Sequence, residues 1–193
     1  MAAPALYLAS SSPRRRQLLA LLDLPFEVLA VDVDESAMPG ESPLALVERL
    51  ARAKAEAGAA LAPQLLPVLG SDTVGELDGQ LLVKPVDEQD AARMMRAMSG
   101  RSHFIHTAIA FSDGRRTLSH VVTSAVTFKP LSDPEIAAYW QSGEPADKAG
   151  GYGIQGRGGR FVSHLSGSYF AVVGLPLMET ERLLNQFLGK ETK

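Results

Sequence analysis

Apolar residues in this chain come in two textures: short unbroken runs suited to buried strands, and runs spaced three and four apart suited to helices. Leu6–Ala9 is the first short run; Ser10, Ser11 and Ser12 interrupt it, Pro13 follows, and Leu18, Leu19 and Leu22 then recur at helical spacing. Serine before proline predicts a helix start. The Ser12 hydroxyl can cap free N–H groups, and proline at the first helical position loses no hydrogen bond. Pro25–Val33 reads as a second strand, and Ser42–Pro43 repeats the helix-start signal. The helix that follows, to about Leu61, places Val47, Leu50, Ala51, Gly58 and Leu61 on one stripe, with Lys54 at its centre. Pro67–Val74 is an apolar strand interrupted by Ser71, Asp72 and Thr73, and Asp78–Gly79 has the signature of a tight hairpin turn. The return strand delivers Lys84–Pro85. Asp87 opens a helix closed by Ser99–Gly100, with Met94, Met95 and Met98 as core filler. Ser102–Phe111 and Arg116–Phe128 form a hairpin around Asp113–Gly114. Ser132–Trp140 reads as a short helix whose Ile136, Tyr139 and Trp140 cover the sheet or a partner subunit. Phe161–Leu165 and Tyr169–Gly174 read as strands, and Pro176–Leu188 as a closing amphipathic helix.

Composition narrows the class. A chain of 193 residues suits one substantial domain, and 46% hydrophobic with 21% charged residues describes a soluble globular protein. No apolar run approaches a membrane span, and Met1–Ala5 leads into the first strand without a basic region, so no signal peptide is read. The absence of cysteine excludes disulfides and thiolate metal sites and fits a cytoplasmic setting. A net charge of −3 and a pI of about 5.8 argue against broad nucleic-acid binding, which needs a basic footprint over many phosphates. There is no internal repeat, low-complexity tract or obvious linker.

The candidate chemistry lies where local rules are broken. Arg14, Arg15 and Arg16 occupy a first helical turn that the macrodipole already makes positive. A polyphosphate on the amides and guanidinium forks would relieve that conflict, whereas the structural alternative is three arginines fanned into solvent. Asp32, Asp34 and Glu35 either hold a hard divalent cation or form a solvated turn. Lys54 either snorkels to water or meets a phosphate in a cleft. Asp72, in a strand where aspartate is disfavoured, binds metal, activates water or caps. His103, His106 and His120 lack metal-ligand spacing and carry no assigned chemistry; His103 and His106 should face opposite sides of one strand. Asp147–Arg160 holds six glycines in fourteen residues. Gly151, Gly153 and Gly156 match the dinucleotide fingerprint, which must follow a strand and open a helix, but Phe161–Leu165 reads as a strand instead, so that reading is rejected. There is no Walker pattern either. Close approach of backbone to a ligand is the better account of these glycines.

Taken in order, SSSPRRRQLL, Glu35, Lys54 in ARAKAEAG, SDTV, Lys84–Pro85, DKAGGYGIQGRGG and VVGLPL closely resemble the Maf family of nucleoside triphosphate pyrophosphatases over nearly the whole chain. The resemblance implies one α/β domain spanning residues 1–193, built on a long, mixed, curved β-sheet flanked by helices, with two lobes around a cleft. It implies a divalent cation (Mg²⁺ or Mn²⁺), a homodimer, and cleavage between the α- and β-phosphates to give a nucleoside monophosphate and pyrophosphate. Arg14 after Ser12–Pro13, Thr73 after Asp72 and Gln155 before Gly156 look like the pyrimidine branch, which acts on dTTP and UTP, rather than the 7-methyl-GTP branch. Carried over residue by residue, Asp72, Lys54 and Lys84 are catalytic; Ser12, Arg14, Arg15, Thr73 and Gln155 bind substrate; Glu35 and Asp72 hold the metal. A carboxylate coordinating a cation is a poor base, so Asp72 is not assumed to do both jobs at once, and metal-bound water is the alternative nucleophile. Gly75 departs from the family's usual β-branched residue without touching the motif. The rival reading is a nucleotide-sensing regulator of cell division or septum formation, which needs the pocket but not hydrolysis.

Overall fold

Burial explains the first strand directly. All four residues of β1 (Leu6–Ala9) are buried, the setting in which an unbroken apolar run forms a strand. The computed structural model describes residues 3–190, so Met1 and Ala2, part of the reading of the N-terminal stretch, lie outside it together with residues 191–193. Contacts divide the chain into two compact units: Met1–Thr73 with Thr107–Val122 and Gly174–Lys193, and Val74–His106 with Thr123–Val173.

In the first unit, α1 (Pro13–Ala20) starts at Ser12, whose Oγ accepts the Arg15 N–H at 3.4 Å. The predicted second strand is shorter than Pro25–Val33: only β2 (Phe26–Val28) pairs, in parallel, with β1. The apolar residues beyond it, Leu29 and Val31, pack as irregular chain against Tyr7, Ala9 and Val68, so packing rather than pairing produced the pattern. Helix α2 (Pro43–Leu61) is capped by Ser42 and buries Leu46, Val47, Leu50, Ala51, Lys54, Ala55 and Gly58. Leu61, expected on that stripe, is 61% exposed. Periodicity fixes which face a residue takes, not whether the neighbouring layer reaches that far.

Strand β3 (Val68–Leu77) runs parallel to β1 with Ala9 opposite Gly70. It extends past the predicted Val74, so Asp72 lies inside a ten-residue strand rather than at its end. The α2–β3 seam is made of small residues: a Cβ on Gly70 would lie 2.2 Å from the Ala51 carbonyl oxygen and 2.5 Å from the Ala55 nitrogen. Only glycine lets the helix backbone come this close. The unit closes with α6 (Leu177–Phe187), whose buried face is Thr180, Leu183, Leu184 and Phe187.

In the second unit, β3 turns through Asp78 and Gly79, both at positive φ, into antiparallel β4 (Gln80–Leu82). Gly75 faces Leu82; a Cβ there would lie 3.0 Å from Leu82 Cδ1, so the departure from a β-branched residue makes room for that side chain. Helix α3 (Glu88–Met98) is capped by Asp87, whose Oδ1 accepts the Asp90 N–H at 2.8 Å. Met94, Met95 and Met98 join Ile105, Val126, Phe128, Ile136, Tyr139, Tyr152 and Phe161 in the core of this unit. β5 (Ser102–Ser112) and β6 (Thr117–Phe128) both pass through the two units. After α4 (Asp133–Trp140), three 3₁₀ turns lead to β7 (Val162–Ser166), antiparallel to β6. Tyr169–Gly174, read as a strand, is instead the one-turn helix α5 (Tyr169–Val173). Aromatic and β-branched residues favour a strand here, but the Ser168 hydroxyl accepts the Ala171 N–H at 3.1 Å and starts a helical turn. The sheet is mixed and seven-stranded, ordered β2-β1-β3-β5-β6-β7 with β4 also on β3, which bears out the α/β expectation. Among the described residues no helix is long and apolar enough to cross a membrane.

Candidate active site

The most unusual contact of the first unit is a buried ammonium between two carboxylates. Lys54 projects from the apolar stripe of α2, is 8% exposed, and sets its Nζ 2.7 Å from Asp72 Oδ1 on β3 and 2.6 Å from Glu35 Oε1. It does not snorkel into water. Asp72 is equally buried, whereas the Glu35 side chain is 63% exposed, so the Lys54–Asp72 contact is the less screened of the two. The other acids of the 32–35 cluster do not join it: Asp34 accepts the Ser36 N–H at 2.9 Å in a local turn, and Asp32 is exposed.

Arg15 is the second anchored cation. Its Nε donates to the Gly174 carbonyl at 3.0 Å and its Nη2 to Thr73 Oγ1 at 3.3 Å, and Thr73 shares a hydrogen bond with Thr107 Oγ1 at 2.9 Å. Ser71 Oγ donates to the same Gly174 carbonyl at 3.2 Å. Burial pulls the Arg15 guanidinium below its ordinary range, Asp72 and Glu35 oppose that, and Arg14 adds to it. Arg14 and Arg16 are exposed in the same first turn, which contains no acid. The structure therefore gathers two contact sets within one unit, Ser12–Arg15–Thr73 and Glu35–Lys54–Asp72, related through the neighbouring β3 residues Asp72 and Thr73 and through the charge that Asp72 and Glu35 place near Arg15. Two partners were not found from the sequence: Thr107 and the Gly174 carbonyl, on segments far from Arg15 in the chain. VVGLPL was visible as a motif, but nothing in it signals a backbone acceptor.

Lys84 and Gln155 belong to the second unit, and both are exposed, Lys84 just after β4 and Gln155 in a turn. The glycine-rich stretch around Gln155 is built on an internal ligand that sequence reasoning missed, Glu144. Its Oε1 accepts from the Tyr139 hydroxyl at 2.7 Å and the Gly158 N–H at 3.1 Å, and its Oε2 accepts from the Arg157 N–H at 2.8 Å. A Cβ on Gly156 would lie 2.4 Å from Glu144 Oε2, and one on Gly158 2.6 Å from the Tyr139 hydroxyl. At Gly156 and Gly158 the missing side chain makes room for the protein's own carboxylate and phenol, a cause that the sequence does not display. Burial, helped by Glu144, holds the Tyr139 phenol well above its ordinary range.

The histidines remain outside this chemistry. His103 is fully buried, with Nε2 2.7 Å from the Tyr152 hydroxyl and its ring edge-on to Phe128 and Tyr152. His106, on the other face of β5, lies between Glu76 Oε2 and Thr123 Oγ1, each at 2.8 Å. A carboxylate only accepts, so His106 Nε2–H donates to Glu76.

For the expected divalent cation, the donor set fits in kind. Glu35 and Asp72 offer hard carboxylate oxygens, and the Lys54 ammonium already stands between them as a cation of the protein's own. Among the described residues there is no cluster of three or more His, Cys, Asp or Glu that could hold a metal, so a cation held here would need oxygens beyond these two carboxylates.

Comparison with known proteins places this arrangement in a family. The model of the Maf-like protein family matches residues 5–187. A protein of Pseudoalteromonas translucida named dTTP/UTP pyrophosphatase is 60% identical over 184 residues, covering 95% of this chain and 97% of its own. One of Yersinia pestis bearing the same name is 57% identical over 186 residues, covering 96% and 94%. A solved HAM1 protein from Coxiella burnetii, 17% identical, superposes with a TM-score of 0.52 over 95% of this chain and 100% of its own, a likeness of fold alone. With the family model spanning nearly the whole chain and relatives this similar, the chain belongs to the Maf family.

Proposed function

We propose that this chain is a nucleoside triphosphate pyrophosphatase that hydrolyses dTTP and UTP to the nucleoside monophosphate and pyrophosphate. The observation that carries this reading is the buried Lys54 ammonium held by Asp72 and Glu35, beside an Arg15 anchored at Gly174 and Thr73. The names of the relatives support the substrate choice. Arg15 keeps donors beyond the two that anchor it, and with Arg14 and Lys54 it holds phosphate oxygens and offsets charge on the departing pyrophosphate. Water attacks the α-phosphorus, the bond to the oxygen bridging to the β-phosphorus breaks, and the water proton passes to Asp72. Asp72 meets Lys54 through Oδ1, which leaves its second oxygen for that proton. Glu35 would hold Mg²⁺ or Mn²⁺, with Asp72 as a second ligand only outside the step in which it takes the water proton; when bound, the cation withdraws charge from the phosphate oxygens. Lys84 contacts the phosphates and Gln155 reads the base. The Gln155 amide carries a donor and an acceptor, complementary to the N3–H and adjacent carbonyl of uracil and thymine.

The test is a panel of canonical triphosphates with product identification, run with Mg²⁺ and with Mn²⁺. The expected result is nucleoside monophosphate and pyrophosphate from dTTP and UTP, with CTP and purine triphosphates poor. Gln155→Glu should lower kcat/KM for dTTP and UTP by roughly 10–100-fold while leaving folding intact, since a paired N–H donor is replaced by a charged acceptor. Equal activity on all bases, or an unchanged profile in the variant, overturns the base-reading role. Release of inorganic phosphate instead of pyrophosphate overturns the reaction.

A further inference from the structure

We infer that Lys54 closes the Glu35–Asp72 carboxylate pair to a bare divalent cation, so that metal is admitted together with the polyphosphate that draws the ammonium away. The inference rests on the phosphate-binding reading given above and concerns the order in which the site is filled. Three features carry it. The Lys54 Nζ contacts one oxygen of each carboxylate, at 2.6 and 2.7 Å, and so stands where a cation shared by the pair would stand. Its helix cannot advance further toward β3, because the Ala51 and Ala55 backbone already lies against Gly70; a rotation of the lysine side chain is the displacement that leaves this packing intact. Finally, Glu35 and Asp72 are balanced by Lys54 and Arg15. A lone dication entering this group meets a buried ammonium and no unmet negative charge. A triphosphate supplies both the anionic oxygens that Lys54 can follow and the further ligands that a two-carboxylate set lacks.

The experiment measures Mn²⁺ binding to the free full-length protein by electron paramagnetic resonance and calorimetry, with no nucleotide present. Wild type should bind Mn²⁺ weakly. Lys54→Met should bind it about tenfold more tightly or better, because the competing charge within hydrogen-bond reach is gone. Arg16→Gln, which removes an exposed cation of the same charge, serves as the control and should change the affinity by less than about threefold. Lys54→Gln keeps a donor toward Asp72 and replaces the Met variant if circular dichroism shows that the latter does not fold. In a second arm, a non-hydrolysable α,β-imido dTTP should bind wild type in the presence of EDTA, and should bind Lys54→Met about tenfold less tightly. Mn²⁺ affinity no higher in either Lys54 variant than in wild type overturns the inference, as does an equal gain in Arg16→Gln. If those results come with wild-type pyrophosphate release intact, the gate fails while the proposed reaction stands.

Discussion

His103 makes the fold acid-sensitive in a pH window of its own. The side chain is fully buried, one ring nitrogen meets the Tyr152 hydroxyl, and the other, Nδ1, has no hydrogen-bond partner. A proton added to this ring must therefore be accommodated without water and with an N–H left unpaired. Burial accordingly lowers the His103 pKa from 6.5 to about 4. In the unfolded chain the same side chain protonates near its ordinary value. Between these pH values the unfolded state binds more protons, so stability is full above pH 6.5 and falls as the pH drops toward 4. A difference of that size corresponds to about 3 kcal/mol over the whole window, and to roughly 2–3 kcal/mol between pH 7 and pH 4.5. The contributions of Glu41 and Glu135, whose pKa values are lowered from 4.5 to about 2 by hydrogen bonds from Arg49 and Lys129, begin to fade near pH 4.5, and because both proteins carry these groups their losses cancel in the comparison with a variant at 103. The assay is urea unfolding at a series of pH values for wild type and for His103→Gln, whose amide can still bond Tyr152 but does not titrate. Wild type should lose about 2 kcal/mol more than the variant over this range. Parallel stability profiles for the two proteins would refute the assignment of the proton to His103.

Two further outcomes are expected. Asp72→Asn keeps the shape of the side chain and removes its basicity, so turnover should fall by roughly two to four orders of magnitude while nucleotide binding survives; near wild-type kcat in a folded variant removes Asp72 from the chemistry. Glu144→Ala withdraws the acceptor shared by Tyr139, Arg157 and Gly158, and should destabilise the protein by about 2 kcal/mol. Amide exchange over residues 153–158 should accelerate selectively, and unchanged protection there would show that Glu144 does not hold the loop.

Helix α2 shows what a sequence displays openly. Its start was marked by Ser42–Pro43, and a lysine in the middle of an apolar stripe was already anomalous before its partners were known. Asp72 was legible for the same reason, a carboxylate in an apolar strand. What stayed hidden was partnership over distance. Thr107 is 34 residues from Thr73, and the Gly174 carbonyl is 159 from Arg15, contacts set by sheet order rather than by any local spacing. Tyr169–Val173 shows a different failure, since five residues suit a strand or a turn of helix equally and the hydroxyl of the preceding serine decided. In the glycine-rich stretch the composition was conspicuous but its cause was not, because Glu144 lies upstream of the glycines it requires.

That internal carboxylate has a consequence for how specificity can change. The backbone around Gln155 is fixed from beneath by Glu144, while the Gln155 side chain itself is exposed. A new residue at 155 therefore meets a loop whose shape does not depend on it. In a library of variants selected for folding alone, Glu144, Gly156 and Gly158 should tolerate almost nothing and position 155 almost anything. The loop is a socket in which one side chain can be exchanged by a single mutation, and with the base-reading role proposed for Gln155, nucleotide preference would be diversified there without refolding the surroundings.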